Sequence, residues 1–143
     1  MWGGVMWGRK NGLRVVELGL PGEMRTTLTD LVLAGAKRAT AGLLELDYER
    51  ECEELEHVGE RLALVGDSGD QVATLEVTEV RLMPFAEVPW EFAQAEGEGF
   101  RDIGHWREAH RDYWREEGYE VDDSTTVVCL SFRVVGQRSS GET

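Results

Sequence analysis

Gly35-Ala36-Lys37-Arg38-Ala39-Thr40-Ala41-Gly42 is the stretch around which the rest of the chain is arranged. One lysine stands between two glycines and otherwise short side chains. Glycine at either end permits positive φ and lets a ligand come close to the backbone. Lys37 and Thr40 lie three residues apart. A straight strand would point them to opposite faces, whereas a turn or bulge brings them to one side. A lysine and a hydroxyl on one side of a pocket can bind an anion or polarise a carbonyl. The plainer reading is a helix C-cap glycine followed by an ordinary exposed lysine.

Before this stretch, Leu28, Leu31 and Val32 follow helical spacing and Gly35 sits where a C-cap belongs. Thr27-Leu28-Thr29-Asp30 resembles a capping box with Asp in place of Glu, so the spacing predicts a helix over 27–34. Pro21-Gly22 marks a turn, preceded by a strand or an extended lead-in over 13–18. After the stretch, 39–46 reads as a strand and 45–60 as a strongly acidic, solvated loop or helical turn. Strands over 61–65 and 72–83 flank the turn Gly66-Asp67-Ser68-Gly69-Asp70 and form a hairpin that Pro84 ends.

A short helix over 90–95 follows, broken by Glu96-Gly97-Glu98-Gly99. Asp102 is a good N-cap for a longer helix to 117. On it, Ile103, Trp106, His110, Tyr113 and Trp114 share one apolar face, with Arg107, Arg111 and Arg115 beside it. Residues 125–135 make a last strand. The order β-α-β-β-β-α-α-β predicts an α+β fold: a small mixed β-barrel capped by helices. Residues 1–12 read as a lead-in, 13–135 as the domain and 136–143 as a flexible tail.

The 143 residues suit one domain, and 41% hydrophobic with 30% charged residues is a soluble globular composition. A formal net charge of −13 argues against a non-specific grip on long duplex nucleic acid, which needs a basic surface. Short RNA, a single nucleoside or a small neutral ligand stays open as partner. No apolar run reaches the roughly 18 residues of a membrane span. The first residues lack the pattern of a signal peptide, so a cytoplasmic location is expected. Cys52 and Cys129 form no metal spacing, and Cys129 reads as a buried small hydrophobe. No P-loop, GxSxG, dinucleotide fingerprint or HExxH is present, and neither metal nor cofactor is expected.

Three groups of residues then carry a resemblance: Leu18-Gly19-Leu20-Pro21-Gly22-Glu23-Met24-Arg25; Leu31-Val32-Leu33-Ala34-Gly35-Ala36-Lys37-Arg38-Ala39-Thr40; and Glu96-Gly97-Glu98-Gly99 with Trp106-Arg107 and His110. In this order and spacing the chain resembles the ASCH domain family of the PUA-like superfamily over roughly 17–135. The resemblance implies a PUA-like barrel with a cleft lined by the lysine motif. Members of the wider family are associated with RNA binding, metal-independent ribonuclease activity and deacetylation of N4-acetylcytidine. Deacetylating members have a lysine, a threonine three residues on and a later glutamate, which correspond here to Lys37, Thr40 and Glu96. Those proteins are shorter and lack the long Trp106–Tyr113 helix. The longer form resembles members described as RNA-binding or ribonucleolytic, so metal-independent hydrolysis of single-stranded RNA is the leading expectation. Deacetylation and non-catalytic binding are the alternatives.

The chemistry needs no family to be reasonable. A lysine in a pocket can act as a base toward the Thr40 hydroxyl or a water. Glu96 could orient it or protonate a leaving amine, with Gly97 and Gly99 letting backbone amides approach an oxyanion. Arg25, Arg38, Trp106, Arg107 and His110 form the candidate substrate-binding set. Arg25 could receive a phosphate or pair with nearby acids. Trp106, Tyr113 and Trp114 could stack on bases, although aromatics at helical spacing more often belong to a core. His110 reads as a core histidine or as a general acid at the cleft edge.

Overall fold

The computed structural model describes residues 7–137. In chain order these form β1 (Arg9–Lys10), β2 (Leu13–Val16), helix α1 (Glu23–Leu33), β3 (Ala39–Leu43), a π-helical turn (Leu44–Glu49), β4 (Arg61–Val65) and β5 (Gln71–Pro84). A single 3-10 turn (Phe85–Glu87), helices α2 (Trp90–Ala95) and α3 (Ile103–Glu116), and β6 (Thr126–Gln137) complete the order. The six strands make one mixed sheet in the order β1-β2-β4-β5-β6-β3. Only β2 and β4 run parallel. The α+β class is as expected, but β1 and β3 are edges and no pairing among the described residues closes the sheet into a barrel. Bulges at Leu64/Val65, Thr74/Leu75 and Val77/Glu79 bend it instead.

Strand alternation feeds two cores from one sheet. Val128, Leu130 and Phe132 of β6 pack with Leu62, Leu64, Leu75 and Val77 under Leu28 and Val32 of α1. Val127 and Cys129, on the other side, pack with Ala41, Leu43, Phe85, Ala93, Trp106 and Trp114. The two cores thus put α1 and the α2–α3 pair against opposite faces. The β4–β5 hairpin and the amphipathic α3 stand where the pattern predicts them, and the Asp102 carboxylate caps α3 by accepting from the His105 N–H at 2.7 Å.

The differences have local causes. α1 begins four residues earlier than the spacing predicts, because Gly22 leads straight from the turn into the helix. Its amide donates to the Asp67 carboxylate at 2.7 Å. Thr27 and Asp30 therefore lie inside α1 and cap nothing. β3 stops at Leu43, where the π-helical turn starts. The acidic stretch is not simply wet: Asp47 and Glu56 are buried. Asp47 accepts the Leu43 N–H at 2.7 Å and Glu56 accepts the Tyr48 hydroxyl at 2.8 Å. The lead-in supplies β1 and the buried Trp7, whose indole N–H donates to the Asp47 carbonyl. Gly136 and Gln137 of the expected tail pair with Thr74 and Ala73 of β5. The remainder of the lead-in, 1–6, and of the tail, 138–143, lies outside the described residues.

Candidate functional site

α1 ends in a full Schellman cap. The Gly35 N–H bonds the Val32 carbonyl and the Ala36 N–H bonds the Leu31 carbonyl, both at 3.0 Å, with Gly35 at φ 82°. The Leu31 carbonyl also accepts from the Lys37 N–H. One residue on, the Arg38 N–H donates to Ala95 at the end of α2, and the Arg38 carbonyl accepts from Phe132 of β6. Residues 36–38 are thereby fixed between two helix ends and the sheet. This clamp turns Lys37 inward. Its side chain is completely buried, and Nζ donates to the Ala39 carbonyl and to Glu98 Oε2, each at 2.8 Å.

Glu96 follows α2 and is also fully buried. His110 Nε2 stands 3.3 Å from Glu96 Oε2, an ion-pair distance without hydrogen-bond alignment. Among the described residues neither Glu96 oxygen accepts a hydrogen bond. Burial pushes its pKa up, but His110 and Lys37 outweigh that and hold it well below the usual carboxylate range. The His110 ring stacks on Trp106 with centroids 4.1 Å apart, and its Nδ1 meets the Trp106 carbonyl at 2.9 Å.

A cavity of about 440 Å³ opens beside the Lys37–Glu98 pair, lined by Glu23, Met24, Thr27, Leu28 and Leu31 of α1 and by Glu98. Glu98 thus belongs both to the cavity wall and to the buried lysine. A larger groove, about 760 Å³, lies over Arg14, Glu53, His57 and Glu60 and includes no residue of the lysine motif.

The predicted site residues separate into two groups. Lys37 and Glu96 come within electrostatic reach of each other, but the direct partner of Lys37 is Glu98. Thr40 is buried in β3 opposite Leu130, on the strand face turned toward the first core. Its own peptide bond carries the Ala39 carbonyl that Lys37 grips. Arg25 is no free anion receptor, because its guanidinium donates to the Leu18 and Gly19 carbonyls and to Glu17. It closes the turn before α1. Trp106 is sealed between Phe85 and His110, so it offers no face to a base. His110 is buried and not at a cleft edge. Arg107 donates to the Ala86 carbonyl, and Arg38 is exposed.

Gly97 does not serve as an oxyanion donor. It lies against the Ala36–Lys37 peptide, and its N–H is used on Gln94. Glu98 is the residue that sequence reasoning passed over. The signal was the second acid of Glu96-Gly97-Glu98-Gly99, on the far side of a glycine that reverses the chain. Among the described residues no three His, Cys, Asp or Glu side chains gather as a metal site requires.

A mixed sheet with helices on both faces and a lysine-bearing loop clamped between two helix ends defines a small α+β domain built around a buried lysine–carboxylate site. The ASCH domain family matches residues 16–136, and the chain belongs to that family within the PUA-like superfamily. It is similar to protein EF3133 from Enterococcus faecalis V583, of the DUF984 family, with 31% identity, a TM-score of 0.73 and coverage of 82% of this chain and 72% of that one. It is similar also to the ASCH domain from Lactobacillus crispatus JV V101, with 28% identity, a TM-score of 0.74 and coverage of 86% and 79%. Hypothetical protein PH0355 shares the fold at 19% identity and a TM-score of 0.55, over 76% of this chain and 92% of that one. No curated protein matches the sequence.

Proposed function

We propose that this ASCH domain acts on a small, uncharged nucleoside by hydrolysing an exocyclic amide, N4-acetylcytidine being the model substrate. The observation that carries the reading is the ion pair of buried Lys37 with Glu98, because Glu98 also forms part of the cavity wall. The cavity's size falls in the range of small-molecule sites. Its lining holds two carboxylates and no basic group, which disfavours a phosphorylated ligand. The net charge of −13 points the same way. With Trp106 buried and Arg25 committed to backbone carbonyls, support for single-stranded RNA hydrolysis is weaker than the sequence implied.

In this mechanism a water attacks the acyl carbon and the C–N bond breaks to leave acetate and the free amine. Glu98 takes the proton from the attacking water and returns it to the departing nitrogen. Lys37 orients Glu98 and balances its charge, and Met24, Leu28 and Leu31 hold the base by its faces. The test follows N4-acetylcytidine deacetylation and cleavage of a short single-stranded RNA, both with chelator present. Turnover of the nucleoside that is lost in Glu98→Gln supports the proposal. RNA cleavage without nucleoside turnover would replace it with the ribonuclease reading. Nucleoside binding with no turnover of either substrate would leave a binding module.

A further inference from the structure

The buried pair behind the lysine does not contact the cavity, yet it places two ionisable groups where neither has solvent. We propose that His110 is the positioning residue of Glu96: a buried imidazolium, clamped by the carbonyl and the indole face of Trp106, that holds the Glu96 carboxylate in its charged form beside Lys37.

Four observations converge on this. His110 Nδ1 faces the Trp106 carbonyl at 2.9 Å, and a carbonyl only accepts, so Nδ1 carries a proton. The remaining nitrogen, Nε2, faces Glu96 Oε2 at 3.3 Å. The proton between that nitrogen and the carboxyl sits on the nitrogen, because the Lys37 charge also bears on the carboxylate and favours its ionised form. The ring is enclosed by π faces and edges: Trp106 stacked at 4.1 Å, Trp114 at 5.2 Å and Phe100 at 5.6 Å. The stacked Trp106 face favours a cation. A fully buried carboxylate is costly unless positive charge compensates it, and here His110 Nε2 stands 3.3 Å away and the Lys37 charge bears on it. The other titratable groups near the pair are Cys129 on β6, which feels the Glu96 charge, and Glu98, bonded to Lys37.

By this account Glu96 never touches substrate. It sets the electrostatic balance around Lys37, and His110 acts one step further back.

The experiment reads ring protonation directly. The chain has three histidines, so a long-range 1H–15N correlation of the labelled protein gives three resolvable patterns. His57 is exposed, and His105 accepts the Arg101 N–H at its Nδ1. Because His57 Nδ1 also faces a carboxylate, Glu60 at 3.3 Å, the His110 pattern is assigned as the one that persists in His57→Gln and in His105→Gln. The parent should show both His110 nitrogens protonated. Glu96→Gln should convert the ring to the neutral form with Nδ1 alone protonated. A neutral His110 in the parent, or a ring unaffected by Glu96→Gln, overturns the proposal.

A second arm rests on the nucleoside-hydrolysis reading. His110→Gln should lower kcat for N4-acetylcytidine on the order of tenfold to a hundredfold while KM stays within about twofold. A variant with unchanged kcat overturns the positioning role. If the parent shows no turnover, that reading fails, and the ring protonation still decides the inference.

Discussion

Gly97 lies directly against the Ala36–Lys37 peptide, so close that a Cβ there would overlap the Ala36 carbonyl oxygen. This contact, with the Arg38–Ala95 hydrogen bond beside it, joins the glutamate turn to the lysine loop. It also brings Glu98 onto Lys37. Gly97→Ala must therefore relieve a backbone overlap as well as the strain of φ 66°. The positive φ alone costs about 1–3 kcal/mol. Gly99 has φ 82° with open space around it, so Gly99→Ala should cost less than Gly97→Ala. Chemical denaturation of both variants tests the order, and equal losses would mean that the turn does not depend on the close approach.

An ordinary exposed lysine past a helix end, the plainer reading of the sequence, would tolerate removal. The complete burial of Lys37 changes that expectation. Lys37→Met leaves Glu98 and Glu96 without their shared cation and should destabilise the protein by about 3–5 kcal/mol. Lys37→Met combined with Glu98→Gln should recover part of that loss. A double-mutant cycle measures the coupling, and strict additivity would show that the pair contributes nothing to stability. Lys37→Arg places a larger planar group in the same space and should retain charge but not geometry.

Trp106 is enclosed by Phe85, Phe92 and His110. Trp106→Ala should cost about 3–5 kcal/mol, the range for losing a buried large aromatic. Thermal melting checks it. A variant that melts with the parent would return Trp106 to the role of a ligand-stacking residue.

Acidity should affect this protein in an unusual direction. Burial raises the Glu56 carboxyl from 4.5 to about 7 and that of Asp47 from 3.8 to about 6. Both bind protons more tightly folded than unfolded. Their stabilising contribution is complete below the unfolded values and is lost as pH rises through the folded ones. For Glu56 the change amounts to on the order of 3 kcal/mol between pH 4.5 and about 7. Glu96 is shifted the other way and contributes stability above its unfolded value, lost as pH falls below it. The melting temperature should thus decline from about pH 5 to about pH 7.5, and Glu56→Gln should flatten the decline. A melting temperature that climbs across that window would contradict the burial of these carboxyls.

Much of the fold was readable because the deciding interactions are local. The face Trp106, His110, Tyr113 and Trp114 follows from helical period alone, and all four are buried. The Asp102 cap and the hairpin around Gly66–Asp70 are likewise short-range. Gly35 as the end of α1 was legible, since a residue in left-handed conformation past a helix is a matter of a few bonds. The start of α1 was not, because the Gly22 amide is bonded by Asp67, 45 residues away.

By itself the sequence determined the family, the order of the strands and α-helices from β2 onward and the presence of a lysine between glycines with an acidic partner later in the chain. Only the tertiary structure decided which acid that partner is. Glu98 reaches Lys37 across 61 residues, while Glu96, two positions earlier, turns to His110. The choice depends on the reversal at Gly97 and on the clamp that turns a lysine into the protein. The same holds for Asp47 and Glu56, which read as solvated charges and are buried by Trp7, Tyr48 and β3 packing around them. Local composition records how polar a segment is. Whether its charges meet water or one another is set by which distant segments the sheet brings beside them.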